Sequence, residues 1–274
     1  MGKRGLVFAL AVIAVASALL VGCSRPGEQA TADANDDLAS VIVGVDMYPP
    51  YVSTGESGEL VGIDVDILTE AFGRIGYKPT FQVVDWERKT ELLSAGEIDC
   101  IASCYTMTGR EGEYRWAGPY LKSRQVVAVD PTSDIYTLAD LEDKVVAVQS
   151  TTLPESIILD RTNPDVPKVK SVFTFTSNAY LNPALVKGYV DAIAAHETSI
   201  LTYEEDYNVE YRILGESLLD VGVGIAFDKN DGRGIAEALD DALSDMLSDG
   251  TMADILGYYF DDPSPFLDME RIDG

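Results

Sequence analysis

Histidine, cysteine and basic residues are scarce in this chain, and each scarcity excludes a class of function. Of 274 residues, one is histidine and three are cysteine, whereas 20 are lysine or arginine and 46 are aspartate or glutamate. A single histidine, His196, cannot supply the several imidazoles of a histidine-rich metal centre. The net charge of −26 opposes electrostatic binding to nucleic acid or anionic lipid. We therefore expect no nucleic-acid partner, no metal and no cofactor.

The two cysteines inside the predicted fold are expected to be free thiols. Cys100 and Cys104 lie four residues apart on a predicted strand, so their Cα atoms would be about 13 Å apart. A disulfide needs a Cα separation below about 7 Å. The same geometry argues against a shared metal ion. We predict two unpaired thiols, with Cys100 in the core.

One long apolar run occurs, and it lies at the start of the chain. Two basic residues precede an apolar stretch at residues 5–20, which ends in small residues before Cys23. This pattern resembles a bacterial lipoprotein signal, in which the cysteine is lipidated. The alternative is an uncleaved membrane anchor, for which the stretch is short. We expect a signal peptide at 1–22, a flexible tether at 23–39, and an exported protein lipid-anchored to the outer face of the cell membrane or in the periplasm.

A ten-residue pattern occurs twice in the chain. Residues 93–102 and 185–194 both read Leu-x-x-Gly-x-x-Asp-x-Ile-Ala, which predicts a helix end, a glycine cap and a short apolar strand. The same αβ unit is therefore expected in two lobes. Because ligands of open α/β sheets bind outside the carboxyl ends of the strands, two such ends would form a cleft for a small polar molecule. The alternative is chance similarity between two common αβ units.

The predicted elements follow a β-α-β-α-β order in each half, which implies parallel sheets. Residues 41–45 have no polar face, as is typical of a central strand covered on both sides. Residues 124–129 and 221–227 are expected to cross between the halves. We predict an α/β fold of two lobes joined by these two strands. The expected lobe boundaries are 40–126 with 226–274 for lobe 1, and 127–225 for lobe 2.

Several short motifs along the chain resemble those of one family. They are Val-Gly-Val-Asp with Pro-Pro-Tyr in 43–51, Leu-Val-Gly-Ile-Asp-Val-Asp at 60–66, Trp-x-x-Pro-Tyr at 116–120, the segment from Asp-Leu to Ser-Thr-Thr at 140–152, and Asp-Gly-Thr at 249–251. Their order and spacing resemble the family 3 solute-binding proteins, the extracellular receptors of polar amino-acid ABC transporters. The resemblance implies a type II periplasmic-binding fold with a two-strand hinge, closure on a ligand and an ABC transporter permease as partner.

The resemblance implies an anion-binding end of the cleft. Arg110 stands at the family's carboxylate-binding arginine, and a guanidinium matches a carboxylate bidentately. Its alternative is a surface arginine. Ser103 also matches a binding position. Thr151 and Thr152 open a predicted helix whose N-terminus suits an anion, with plain N-capping as the alternative.

The same resemblance implies aromatic contacts with the body of the ligand. Tyr48 and Trp86 match two positions where the family stacks side chains on its ligand, and aromatic walls also attract cations. Ordinary core packing is the alternative for Trp86. Asp46, just past a strand end, is expected to face the cleft.

The chain departs from the family pattern at three places. His196 stands where the family has an aspartate that pairs with the ligand's α-amino group, and Glu197 replaces that aspartate only if the strand ends early. Thr106 and Thr108 flank the usual threonine position, and Ser150 replaces a glycine. Carboxylate recognition stays the expectation, whereas α-amino recognition stays open. His196 is either a pH-sensitive ligand contact or a hydrogen-bonded filler.

The leading functional hypothesis is a non-enzymatic, monomeric receptor. It would bind a small carboxylated solute, an amino acid or a related compound, and deliver it to a permease. One alternative is a receptor that reports the solute to a signalling protein. Another is a dehydratase-type enzyme, which needs a cleft acid with a raised pKa, and Glu197 is the only candidate for that acid.

Overall fold

The computed structural model describes residues 38–269, in which strands and helices alternate along most of the chain. The strands are β1 (Ala39–Val45), β2 (Ser53–Thr54), β3 (Leu60–Val61), β4 (Tyr77–Val83), β5 (Cys100–Ile101), β6 (Arg115–Val129), β7 (Val145–Gln149), β8 (Ser171–Phe175), β9 (Ala192–His196), β10 (Arg212–Ile213) and β11 (Leu219–Phe227). The α-helices are α1 (Ile63–Arg74), α2 (Lys89–Ala95), α3 (Leu153–Asp160), α4 (Leu181–Val186), α5 (Glu197–Tyr207), α6 (Ile235–Asp249), α7 (Thr251–Leu256) and α8 (Ser264–Leu267). Short 3₁₀ turns lie at Trp86–Arg88, Leu138–Leu141 and Asn178–Tyr180.

One hydrogen-bonded sheet runs through both halves of the fold. Its strand order is β4-β1-β5-β11-β6-β9-β7-β8, with β10 also paired to β6. The flanking strands are parallel to one another in each half, whereas β6 and β11 are antiparallel. These two strands belong to both halves, since β6 pairs with β11 in its first part and with β9 in its second. The predicted α/β fold of two lobes joined by two strands is confirmed, while the predicted lobe boundaries stay a prediction.

The first crossing strand is longer than predicted. The sequence indicated residues 124–129, whereas β6 begins at Arg115. Gly118 and Pro119 lie inside it and are strand-breaking signals in a sequence. They lie where the register between β6 and β11 shifts, between Val223 and Ile225. A proline is tolerated at such an irregularity because no regular ladder bond is required there.

The repeated sequence pattern builds the same contact twice. The glycine of each copy has a left-handed φ, which is 71° at Gly96 and 67° at Gly188. The carboxylate of Asp99 accepts a hydrogen bond from the Ile42 amide at 2.8 Å, and its own amide donates to the Ile42 carbonyl at 2.8 Å. Asp191 does the same with Val145, at 2.7 Å and 2.8 Å. The predicted duplication of the αβ unit is confirmed, and its aspartate holds the first strand of each lobe in register.

The apolar stripe of α6 packs into the core. Leu239, Leu243 and Met246 are buried against α1, α7 and the strands of the first lobe. The second lobe has its own apolar clusters on both faces of β7 and β9. Each sheet half is therefore covered by helices, which explains why its central strands lack a polar face.

Both cysteines of the described region are unpaired and buried, as predicted. The prediction that one strand holds both cysteines is wrong, because β5 ends at Ile101 and Cys104 has a left-handed φ of 50°. Within residues 38–269, no helix has the length and apolarity needed to span a membrane. The expected signal peptide, tether and lipidation site at Cys23 lie outside the described residues.

Candidate functional site

A cavity of about 40 Å³ lies between the two lobes. Loops after β1 and β5 line it from the first lobe, and the ends of β7 and β9 with the start of α3 line it from the second. Carboxyl ends of parallel strands therefore meet here, where the repeat predicted a cleft. The cavity brings together eight of the nine predicted binding residues, which are Asp46, Tyr48, Trp86, Ser103, Arg110, Thr151, Thr152 and His196.

Glu197 is the predicted residue that the structure does not bring to this cavity. Strand β9 ends at His196, which lines the cavity, whereas Glu197 is the first residue of α5 and does not line it. The Glu197 carboxylate accepts a hydrogen bond from Arg124 at 2.8 Å and lines a separate groove. The early strand end that would let it replace the family aspartate is absent. The cleft acid that the dehydratase alternative needs is therefore not supplied by Glu197.

Arg110 is held by its backbone and by an aromatic face. Its amide donates to the Met107 carbonyl at 2.9 Å, and its carbonyl accepts from the Trp116 indole at 3.1 Å. The guanidinium lies 5.0 Å from the centre of the Tyr105 ring. Among residues 38–269, no carboxylate lies within 4.0 Å of it. The guanidinium fork keeps its capacity to bind a carboxylate bidentately.

The start of α3 forms the opposite wall. Thr152 is the N-cap residue, but its hydroxyl donates to the Gln149 carbonyl at 2.7 Å instead of capping the helix. Thr151 has a left-handed φ of 58°, and its amide donates to the Glu155 carboxylate at 2.6 Å. The plain side-chain capping considered for the two threonines is therefore not what the structure has. The amide at this helix start already binds a carboxylate, which is the chemistry expected for a solute.

Lys89 joins this wall to the first lobe, and sequence reasoning missed it. It is 4% exposed, and its ammonium donates to the Thr151 hydroxyl at 2.7 Å and to the Trp86 carbonyl at 3.0 Å. Burial and the positive charge of Arg110 lower the pKa of Lys89 to about 8. A lysine in a polar helix segment is ordinarily solvated, so no signal in the sequence pointed to it.

Asp46 and Gln149 form a second bond between the lobes. The Gln149 amide donates to the Asp46 carboxylate at 2.5 Å, and the Met47 backbone amide donates to its other oxygen at 2.9 Å. Burial raises the pKa of Asp46 above its ordinary value. Asp46 does face the cleft, as expected, but it is bound by a side chain of the other lobe.

His196 is a buried, hydrogen-bonded part of the cavity wall. Its Nδ1 lies 2.7 Å from the Ser123 hydroxyl and its Nε2 lies 2.8 Å from the Gln125 amide nitrogen. Because that amide donates, Nε2 accepts and Nδ1 carries the proton. Burial, with the charge of Arg110, lowers the pKa of His196 to about 3. The imidazole is therefore neutral at physiological pH, which argues against the pH-sensitive contact.

Two amide oxygens in the cavity wall have no partner among the described residues. They are Oε1 of Gln125 and Oδ1 of Asn178, and both are buried. A buried acceptor without a donor costs free energy. Both oxygens can accept hydrogen bonds from a solute, and neither carries a charge.

Aromatic side chains close the sides of the cavity. The Tyr48 hydroxyl accepts a hydrogen bond from the His196 amide at 3.2 Å, which links the lobes. Trp86 is 6% exposed and meets Tyr105 edge-on, with ring centres 5.6 Å apart. Trp86 is therefore part of a small apolar cluster and also part of the cavity wall.

The loop that carries Ser103 is held by a buried carboxylate. The amides of Ser103 and Cys104 donate to Asp64 at 2.9 Å and 2.6 Å, and the Tyr120 hydroxyl donates to it at 2.6 Å. Ser103 has a left-handed φ of 89°, and its hydroxyl donates to the Asp46 carbonyl at 2.7 Å. These bonds position Ser103 and Asp46 beside each other at the cavity.

Comparison with known proteins identifies the family. The model of the bacterial extracellular solute-binding proteins, family 3, matches residues 41–262. The histidine-binding periplasmic protein of Salmonella typhimurium is 29% identical over 226 residues, which are 78% of this chain and 84% of the relative. The glutamate-binding protein GluB of Corynebacterium glutamicum is 27% identical over 266 residues, which are 90% and 87% of the two chains.

Solved structures share the fold as well. The crystal structure of Tv2483 bound to L-arginine matches with a TM-score of 0.75 and 28% identity, covering 82% of this chain and 91% of that chain. The fold, the interlobe cavity and a family match over most of the sequence agree with one another. The chain belongs to the bacterial extracellular solute-binding proteins of family 3.

Proposed function

We propose that this protein binds a small carboxylated solute, an amino acid or a related compound, in the interlobe cavity and delivers it to an ABC transporter permease. The observation that carries the proposal is the Arg110 guanidinium, which lines the cavity without a carboxylate partner within 4.0 Å among the described residues. The start of α3 also lines the cavity, but its Thr151 amide already donates to the Glu155 carboxylate. The unpaired guanidinium fork of Arg110 is therefore the group to which the proposal assigns the solute carboxylate.

The named relatives support this assignment and leave the side chain of the solute open. They are binding proteins for histidine and glutamate, and the matched structure holds L-arginine. These molecules share an α-amino acid core but differ in side-chain charge. Binding relatives favour delivery of a solute over catalysis. The proposed location is the outer face of the membrane, with lipid attached to Cys23 and the protein acting as a monomer.

The test is thermal unfolding of residues 38–274 with a panel of amino acids and small carboxylates. A solute at 100 times its dissociation constant stabilises the folded protein by about 2.7 kcal/mol, which raises the melting temperature measurably. We expect at least one carboxylated solute to do so, and the shift to disappear in Arg110→Ala. Arg88→Ala is the matched control, because Arg88 is exposed and, among residues 38–269, its ion pair is with Glu91.

The control variant should retain the full shift. The proposal fails if no carboxylated compound stabilises the protein, or if Arg110→Ala responds to the same compound as strongly as the unchanged protein.

A further inference from the structure

Another cavity, of about 130 Å³, lies beside the interlobe cavity, and we call it the α5 cavity. Its wall comes from the turn at Asn178–Tyr180, from α4 and from α5 in the second lobe, and Pro49 borders it from the first lobe. Asn178 lines both cavities, so the two spaces share part of one wall. Arg110 does not line the α5 cavity, which the proposed function therefore leaves unexplained.

Asn182 brings an unsatisfied hydrogen-bond acceptor to the α5 cavity. Its side chain lines the cavity and is 4% exposed, and its Oδ1 has no hydrogen-bond partner among residues 38–269. The amide nitrogen of Asn178 donates to the Ser199 hydroxyl at 2.9 Å, whereas the Oδ1 of Asn178 has no partner in that range either. A buried acceptor without a donor costs free energy. The two amide oxygens therefore favour an occupant that carries N–H or O–H donors.

The charged and aromatic groups of the α5 cavity favour a cation. Asp206 is an exposed carboxylate that lines it, and in the described part of the chain no lysine or arginine comes within 4.0 Å of this carboxylate. The rings of Tyr203 and Tyr207 also line the cavity and stack with their centres 4.3 Å apart. Aromatic faces attract cations, and the net charge of −26 adds a long-range attraction. Of the described residues, no lysine, arginine or histidine belongs to this wall.

We infer that the α5 cavity is a second ligand site, which binds a small primary ammonium compound. A single water needs about 10–15 Å³ of such a space, so 130 Å³ holds a ligand of several non-hydrogen atoms. The N–H groups of the ligand donate to the Asn182 oxygen, its charge lies near Asp206, and its alkyl part packs against the tyrosine rings. A quaternary ammonium lacks the N–H donors and an alcohol lacks the charge, so each satisfies only part of the site.

The experiment titrates the protein with butylammonium chloride and follows its backbone amide resonances by NMR. The ionic strength is held constant, so that screening of surface charges does not change during the titration. We expect saturable binding with a dissociation constant of about 1–10 mM, as is usual for so small a ligand, and shifts concentrated around Asn182 and Tyr203. Butanol and tetramethylammonium should each bind at least about fivefold more weakly, since one lacks the charge and the other the N–H donors.

Two variants test the charge and the acceptor separately. Asp206→Asn removes the carboxylate and Asn182→Leu removes the unpartnered oxygen, and each should weaken butylammonium binding about fivefold or more. Asn182→Leu should keep the melting temperature of the unchanged protein, because the oxygen that it removes has no partner among the described residues. Glu205→Gln is the matched control, since it neutralises an exposed carboxylate of α5 that does not line this cavity, and it should bind butylammonium as the unchanged protein does.

The inference is overturned if butylammonium shows no saturable binding, if butanol binds as tightly, or if either Asp206→Asn or Asn182→Leu keeps the full affinity. Shifts confined to Ser103 and Arg110 would place the ammonium in the interlobe cavity and would overturn it as well. Should Asn182→Leu fail to fold, Asp206→Asn decides alone, because it changes an exposed side chain. None of these outcomes bears on the carboxylated solute, which binds in the other cavity.

Discussion

At the scale of single residues, buried ionisable groups shape this protein. Asp64 is fully buried, and desolvation raises its pKa to about 6 even though three donors bind it. His196 is buried as the neutral form with a pKa of about 3. As the pH rises through the acidic range, Asp64 keeps its proton longer in the folded state than in the unfolded state, which lowers the stability. His196 loses its proton earlier in the folded state, which raises the stability, so the two pKa shifts act in opposite directions.

The pH dependence of stability tests the neutral state of His196. In the unfolded chain this histidine takes up a proton below about pH 6.5, whereas in the folded protein it does so only near pH 3. The unfolded state therefore binds more protons in this window, and the stability contributed by the neutral ring is lost as the pH falls from 6.5 towards 3. Urea unfolding between pH 4.5 and 7.5 of the unchanged protein and of His196→Gln measures the effect.

The two stability curves should converge as the pH falls. Both proteins contain the same other titrating groups, so the contributions of these groups cancel in the difference between the two curves. His196 is the one histidine of the chain, so the difference reports on this residue. The difference should change by at most about 1.4 kcal/mol per pH unit below pH 6.5 and stay flat above it. Parallel curves across the whole range would show that His196 titrates normally in the folded protein.

At the scale of secondary-structure elements, the aspartate of the repeated pattern follows a helix and binds the first strand of its own lobe. Asp99 binds the Ile42 amide in the first lobe, and Asp191 binds the Val145 amide in the second. Asp99 has an additional ion pair with Arg233. The pattern is local in sequence, but its function is to set the register of a strand that lies far away in the chain.

Replacing either aspartate by alanine should destabilise the protein. Each change leaves one strand amide without its side-chain acceptor, which costs about 1 kcal/mol. We expect Asp99→Ala to cost more than Asp191→Ala, because it also removes the ion pair with Arg233. Chemical denaturation measures both, with Asp241→Ala on the exposed face of α6 as the control. Equal stability of all three variants would contradict a register role for the aspartates.

At the scale of the whole molecule, three hydrogen bonds link the two lobes at the cavity. The bonds join Tyr48 to His196, Gln149 to Asp46 and Lys89 to Thr151, all at the cavity. A cavity of about 40 Å³ holds only a few water molecules. Hinge movement of the lobes is the expected route for a solute to enter, and β6 and β11 are the strands that connect the two lobes.

One interlobe bond lies outside the cavity lining and tests closure separately. The Tyr51 hydroxyl lies 2.9 Å from the Thr198 hydroxyl, and Tyr51 does not line the cavity. Removing this bond in Tyr51→Phe should disfavour the closed form and weaken solute binding by up to about tenfold, since binding depends on the population of the closed form. Calorimetric titration measures the affinity, and small-angle scattering measures the compactness with and without solute.

The effect of Tyr51→Phe should be the same for every solute that binds. Tyr258→Phe is the control, because that side chain is 86% exposed. A change in the preference between solutes, rather than in affinity for all of them, would show that Tyr51 acts on the solute and not on closure.

The sequence by itself determined the architecture and most of the cavity. The helical and strand periodicities and the ten-residue repeat predicted two αβ lobes and their crossing strands. These signals can be read from a sequence because they depend on residues that are close together along the chain. The resemblance to the family 3 solute-binding proteins located seven of the eight predicted residues that line the cavity, and the end of the first strand located the eighth, Asp46. The early start of β6 was missed because Gly118 and Pro119 read as breakers, although a register shift accommodates them.

Only the tertiary structure decided which of these residues touch one another. Lys89 and Gln149 enter the site through contacts with Thr151 and Asp46, which are 62 and 103 residues away along the chain. The direction of Glu197 depended on how far β9 continues, which is set by its pairing with β6. No local pattern encodes such contacts, because burial and charge at each position depend on what the other lobe places opposite.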